Sequence, residues 1–226
     1  MKRSFINQMI TEALAFSEKM KFPLPPFFHW TVEDWRNVGS EYAEIRDCML
    51  GWDVTDFGTG DFYHTGLVAA TIRNGVAGQD AYRKPYCEKA LFVKEGQVTP
   101  MHFHAVKMED IINRGGADLV IELYLADDRD QLSANPVPVN VDGRRFSADA
   151  GTLLRLKPGE SITLYPRQYH AFWAANGDAL IGEVSTVNDD TADNHFFEVP
   201  QRFPEITEDE VKKYLLCNEY GRNLTI

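Results

Sequence analysis

From about residue 53 the chain is cut into short apolar runs by glycine, proline, asparagine and aspartate. This punctuation constrains the fold more than any other feature of the sequence. The runs "FYHTGLVAATIRNG", "EKALFVKEGQ", "DLVIELYLA", "GTLLRLKPGESITLYP" and "ALIGEVSTVND" are rich in β-branched residues. Their length and spacing suit strands of an all-β sandwich or barrel and leave no room for long helices between them.

The flanks read differently. Residues 3–20 place apolar side chains at Phe5/Ile6, Met9/Ile10 and Ala13/Leu14, the spacing of an amphipathic helix, and "FPLPPF" then forbids its continuation. "TVEDWRNVGS" predicts a second helix, with Thr31 as N-cap, Asp34 three residues on and Gly39 as stop. "TEDEVKKYLLCNEYG" predicts a third, with Thr207 and Glu210 as a capping box and Gly221 as stop. The aromatic residues of 22–35 suit a lid or a dimer surface, with plain packing as the default. The 226 residues therefore make one β domain with a helical entry and a short helical exit, and 44% hydrophobic content is enough for a sizeable core.

Charge narrows the function. With 23 basic and 34 acidic side chains the net charge is −11, which disfavours phosphate-backbone binding and offers no polybasic membrane patch. No stretch approaches the roughly 20 apolar residues of a membrane-spanning helix. Cys48, Cys87 and Cys217 are odd in number and far apart, without a CxxC pair, so they read as reduced thiols of a cytoplasmic protein.

One stretch concentrates chemistry: "TPMHFHAVKMEDIINRGG", residues 99–116. On a strand His102 and His104 share a face, with Phe103 opposite. After a short turn Lys107 and Glu109 share one too. His170, in "YPRQYHAFW", offers a third imidazole. Three nitrogens and a carboxylate suit a first-row divalent ion (Mn, Fe, Ni, Co or Zn), with coordination positions left for water or substrate. A lone HxH is weak evidence for metal; the glutamate, the glycine frame and the later histidine give it weight.

The spacing Gly96-x5-His102-x-His104-x4-Glu109-x6-Gly116 resembles the first motif of the cupin superfamily, whose two histidines and glutamate bind metal inside a small β-barrel. Gly159, Pro166 and His170 resemble the second motif. They depart from it in that Pro166 lies four residues before His170, not five, and Asn176 comes two positions late. More closely, "EKALFVKEGQVTPMHFHAVKMEDIINRGG", "KPGESITLYPRQYHAFW" and "GEVSTVNDDTADNHFF…RFPEITEDE" together resemble the D-lyxose isomerases of bacteria across nearly the whole chain. That resemblance implies a homodimeric, manganese-dependent cupin acting on monosaccharides, interconverting D-lyxose with D-xylulose and, more slowly, D-mannose with D-fructose. It implies His102, His104, Glu109 and His170 as metal ligands. It also divides the chain into a helical segment 1–52 packed on the barrel, a cupin domain 53–203 and a helical tail 204–226.

Aldose–ketose isomerisation needs a Lewis acid, a base over the sugar carbons and a proton donor near the oxygens, but no nucleotide or redox cofactor. Glu183, flanked by apolar residues in "LIGEVST", suits the base, proton transfer through an enediol being preferred over hydride shift; its ordinary alternative is a solvent-facing strand residue. Lys107 suits the donor, and Lys89, which alternation sets apart from Lys94, suits a second inward cation. Phe172 and Trp173 suit a wall against the sugar ring, although core packing explains aromatics more often. Asp189 and Asp193 suit contacts to sugar hydroxyls, with Arg202 paired to one of them and Asp190 left in solvent. His29, His64 (on a strand) and His195 carry no function in this reading, and Asp127, Asp128 and Asp130 read as a hairpin end. Three other readings of the motif remain open: a sugar-phosphate isomerase using Arg114, Arg155 and Arg167, an iron-dependent cupin dioxygenase, and a non-catalytic sugar-binding protein.

Overall fold

The computed structural model describes residues 1–189, 192–198 and 203–223. Helix α1 (Arg3–Lys19) buries Ile6, Met9, Ile10 and Ala13 along one stripe, as the spacing predicts. It ends where Met20 N donates to Phe16 O and Lys21 turns to φ 55°, just before the proline stretch. Helix α2 (Val32–Arg36) carries the predicted capping box: Thr31 Oγ1 accepts from Asp34 N at 3.3 Å, and Thr31 N donates to Asp34 Oδ2 at 2.8 Å. It closes at Asn37, two residues before Gly39. A short helix α3 (Ala43–Asp47), not foreseen, leads into the sheet.

Strands β1 (Gly51–Thr55), β2 (Leu67–Arg73), β3 (Tyr86–Val93) and β4 (Thr99–His104) come first. They are followed by the long β5 (Glu109–Ala126), then β6 (Leu132–Ser133), β7 (Val137–Val141) and β8 (Arg144–Ala148). Strands β9 (Thr152–Leu156), β10 (Ser161–Leu164), the long β11 (Gln168–Thr186) and β12 (Asn194–Phe196) complete an antiparallel, all-β core.

The long strands are the hinge of the architecture. The second half of β11 pairs with the first half of β5, from Ala179↔Gly116 to Ser185↔Glu109. Strands β3 and β10 extend that leaf on either side. The first half of β11 pairs with the second half of β5, flanked by β4 and β9. Between the halves the register breaks from Ala175 to Ala179. Gly116 sits at this bend with φ +90°, and a Cβ there would lie 2.4 Å from Asp178 O, so the bend requires glycine. The inner faces of both leaves meet over one apolar core that includes Leu91, Ile111, Leu119, Ile121, Phe172 and Ile181.

The outer face of β1–β3 is covered as well. Trp52, Val54, Val68, Ala70 and Phe92 pack against the apolar stripe of α1 and against Tyr214 and Leu216 of the C-terminal segment. Burial on both faces explains why "LVAATI" reads as a nearly continuous apolar run, broken only by Thr71, and not as an alternation. Phe28 is buried in this packing, its O accepting from Trp52 Nε1 at 2.9 Å, and Trp35 is buried in an adjoining cluster with Ile45, Leu50 and Leu215, so these two aromatics of residues 22–35 serve packing.

Two expectations are corrected. The helix predicted from Thr207 to Gly221 is confined to α4 (Tyr220–Asn223), with Gly221 inside it. Thr207 instead bridges the backbone of Lys2, and Asp209 and Glu210 accept hydrogen bonds from Ser4 and Asn7 of α1. Tertiary partners thus take the Glu210 carboxylate and the Thr207 backbone that a capped helix would use. His64 stands in a turn, not on a strand, its N–H donating to Asp61 Oδ1 at 3.3 Å. Asp190 and Arg202 lie outside the described residues. The hairpin-end reading of Asp127 holds: its Oδ1 accepts from the N–H groups of Arg129 and Gln131. The three cysteines are free and buried.

Candidate functional site

Four buried side chains meet between the leaves. Strand β4 presents His102 and His104 inward; His170 on β11 lies directly opposite His102, with ring centroids 4.1 Å apart. Glu109 opens β5 and turns toward all three. The candidate ligand atoms of these four residues lie within 4.8 Å of one another. Burial lowers the His102 pKa well below its ordinary value, helped by the neighbouring imidazoles, and lowers that of His104 too, so both rings are neutral.

The ring orientations follow from second partners. His102 Nδ1 donates to Pro100 O at 2.7 Å and His170 Nδ1 to Gln168 O at 3.1 Å, which leaves the Nε2 lone pairs for use. His104 Nε2 and His170 Nε2 lie 3.3 and 3.1 Å from Glu109 Oε1. Yet His170 Nε2 and both ring nitrogens of His104 are buried without a hydrogen-bond partner among the described residues. Orphaned imidazole nitrogens converging on a buried carboxylate are what a divalent cation would satisfy, and this mixed nitrogen and oxygen set suits one. The group could hold a metal.

A second polar layer adjoins it. Lys107, from the turn between β4 and β5, places Nζ 2.8 Å from Glu109 Oε2 and 2.8 Å from Glu183 Oε1. Burial works against its charge, but the two carboxylates outweigh burial and raise its pKa, so it is an ammonium. Burial likewise opposes charge on Glu109, and Lys107 overcomes this, holding the carboxyl well below the usual range. Glu183 pairs in register with Lys89 on β3 and Ile111 on β5, so all three point inward. Lys89 Nζ lies 3.5 Å from Glu183 Oε1, whereas Lys94 turns outward to Glu12.

The sequence did not reveal Asn188. Its Oδ1 accepts from Lys89 Nζ at 2.8 Å and lies 3.4 Å from Lys107 Nζ. Its backbone is clamped by Asn74, which donates Nδ2–H to Asn188 O and accepts from Asn188 N. The three histidines, Glu109, Lys89, Lys107 and Glu183 line one side of a cavity between the leaves; Phe57, Leu67, Leu91, Phe172 and Phe196 form its apolar side.

Other candidates lie elsewhere. Trp173, next along β11, faces away from Phe172 and does not line the cavity. Asp193 spends both carboxylate oxygens on the turn that carries Lys107, accepting from Val106 N at 2.8 Å and Lys107 N at 3.0 Å. It props the site instead of facing it. Asp189 borders a separate outer cavity with Thr71 and Asn74. Arg114, Arg155 and Arg167 are exposed, the last two paired with Asp118 and Asp130, and none lines the metal cavity.

Comparison with known proteins agrees with this geometry. The model of the D-lyxose isomerase family matches residues 1–220. A D-lyxose/D-mannose isomerase of Serratia proteamaculans is 48% identical over 225 residues, covering 98% of this chain and 99% of that protein. Another of that description, from Escherichia coli O157:H7, is 47% identical over 97% of this chain and 98% of its own length. Among solved structures, L-ribose isomerase of Cellulomonas parahominis superposes with a TM-score of 0.59 at 18% identity, covering 92% of this chain and 98% of that one. The L-ribose isomerase of Acinetobacter sp. DL28, in complex with L-ribose, gives 0.58 at 15% identity, covering 91% and 98%. At such identities the likeness concerns the fold, here of the cupin kind. A family match through nearly every element described above, joined to two relatives at almost half identity end to end, makes the chain a member of the D-lyxose isomerase family.

Proposed function

We propose that this protein is a metal-dependent aldose–ketose isomerase that interconverts D-lyxose and D-xylulose, with D-mannose and D-fructose as a second pair. The observation that carries the reading is the buried carboxylate of Glu183, held by two lysines beside a cluster of three imidazoles and Glu109. The names of the two close relatives supply the sugar. Manganese, a homodimeric assembly and a cytoplasmic location are carried over from the family as part of the same proposal.

His102, His104, Glu109 and His170 would hold the ion. The chemistry a divalent cation would supply there is Lewis acidity toward the sugar carbonyl and its adjoining C–H. Glu183 takes the C2 proton as a carboxylate and returns it to C1, with an enediol between. Lys107 gives a proton to O1 as that oxygen becomes a hydroxyl, and receives one from O2 as a new carbonyl forms. Lys89 keeps a second positive charge beside Glu183, and Phe172 offers the ring an apolar face. Among the described residues, the only lysine or arginine side chains lining the cavity are Lys89 and Lys107. Both are engaged with carboxylates, which favours an uncharged sugar over a sugar phosphate.

The test is an NMR time course of the manganese-loaded protein with D-lyxose in heavy water. D-Xylulose carrying deuterium at C1 is the expected product. Ketose without deuterium would replace the enediol route with hydride transfer or a base shielded from exchange, and no ketose at all would sink the isomerase reading. Glu183→Gln should keep the bound metal and lower kcat by about 10²–10⁴-fold.

A further inference from the structure

Strand β4 is irregular where it matters. Alternation counted back from His102 would send Thr99 to the opposite face, with Met101 and Phe103. The pairing with β11 contradicts this: His170 faces His102, but Phe172 faces Thr99. Two steps on β11 are matched by three on β4, a bulge around Pro100 and Met101. The bulge turns Thr99 onto the same inner face as the metal-site histidines. It also frees Pro100 O to accept from His102 Nδ1.

Thr99 consequently lines the metal cavity while only 4% exposed. Its Oγ1 is buried and has no hydrogen-bond partner among the described residues. The apolar wall of Leu67, Leu91, Phe172 and Phe196 offers it none. A buried hydroxyl left unmade weakens the fold, and selection for stability alone would place valine, of nearly the same shape, at this position. A hydroxyl can both donate and accept, so it can pair with a sugar hydroxyl in either sense.

We propose that Thr99 is a substrate-hydroxyl subsite, its Oγ1 hydrogen-bonding one hydroxyl of the bound monosaccharide and so contributing to selection of the sugar. The proposal rests on the isomerase reading above. Sites built to bond a substrate hydroxyl discriminate strongly when either partner is removed, because the other is then left buried and unpaired.

The experiment compares the manganese-loaded wild type, Thr99→Val and Thr99→Ser on D-lyxose, with metal content and Tm measured in parallel without sugar. Thr99→Val should lose roughly 10- to 100-fold in kcat/KM, keep its metal and melt no lower than the wild type, and Thr99→Ser should recover most of the loss. Wild-type kcat/KM in Thr99→Val overturns the subsite. So does a loss of activity accompanied by a fall in Tm, since the hydroxyl would then serve the fold. A wild type inactive on D-lyxose overturns the isomerase reading and this inference with it, whereas an active wild type beside an unimpaired Thr99→Val overturns the subsite alone.

Discussion

Lys107 holds two acids apart. Its ammonium sits 2.8 Å from a carboxylate oxygen of Glu109 and of Glu183, and all three side chains are buried. Removing one member of such a group leaves an uncompensated charge, which costs far more than the intact group contributes. Lys107→Met should therefore destabilise the chelator-treated protein by about 3–5 kcal/mol in urea unfolding. Supplying manganese should return part of that loss, because a cation at the imidazole cluster also neutralises Glu109. At this scale the sequence was informative wherever the clustered side chains fall in one short stretch. His102, His104, Lys107 and Glu109 lie on a strand and its following turn, where alternation is enough. Glu183 and Lys89 were legible for the same reason. Asn188 was not: nothing in "VNDDT" marks which of several adjacent polar residues turns inward, since the answer depends on Asn74, far away in the chain.

Among the elements, the long antiparallel pair of β5 and β11 decides where the site lies. Its bend lets one strand pair contribute Glu109 and Glu183 from one leaf and His170 from the other. Gly116→Ala should destabilise the fold by about 1–3 kcal/mol, read from the urea midpoint, since the new Cβ meets Asp178 O and the backbone is left-handed there. The loss should be accompanied by weaker metal binding, because the two leaves share this bend. The sequence marked Gly116 as part of a motif but not as a hinge. The β4 bulge was invisible for a sharper reason: strict alternation is the rule by which faces are read, and a bulge reverses it. That is why Thr99 escaped notice while His102 did not.

Over the whole molecule, the ends of the chain are clipped to each other and to the sheet by ion pairs and hydrogen bonds. Arg3, fully buried on α1, is gripped by Glu208 and Glu219; Asp209 holds Ser4, and Glu12 holds Lys94. Hydrogen bonding to Arg3 holds Glu208 below its ordinary value of 4.5, and the backbone and hydroxyl of Ser4 do the same for Asp209 against 3.8. Burial opposes the charge of Glu12, but Lys94 prevails and lowers its pKa as well. A carboxylate depressed on folding stabilises above its unfolded pKa, and the contribution is lost as pH falls through the folded value. Stability should thus decline from about pH 4.5 downward, and Glu208→Gln should flatten the decline in a Tm series through that range. The sequence misread this region as a capped helix because its acids occupy helix-start positions. Their partners sit some two hundred residues earlier, and no local pattern announces them.

The clip has a consequence for the order in which the chain is made. Arg3 meets Glu219 across a separation of 216 residues, so α1 leaves the ribosome long before its buried guanidinium has a counter-ion. At roughly 5–20 residues per second, the helix waits about 10–40 s with its apolar stripe lacking Tyr214 and Leu216 as cover. Nascent chains stalled before Tyr214 should therefore expose that stripe to chaperones, and emergence of the segment bearing Tyr214 and Leu216 is what ends their vulnerability.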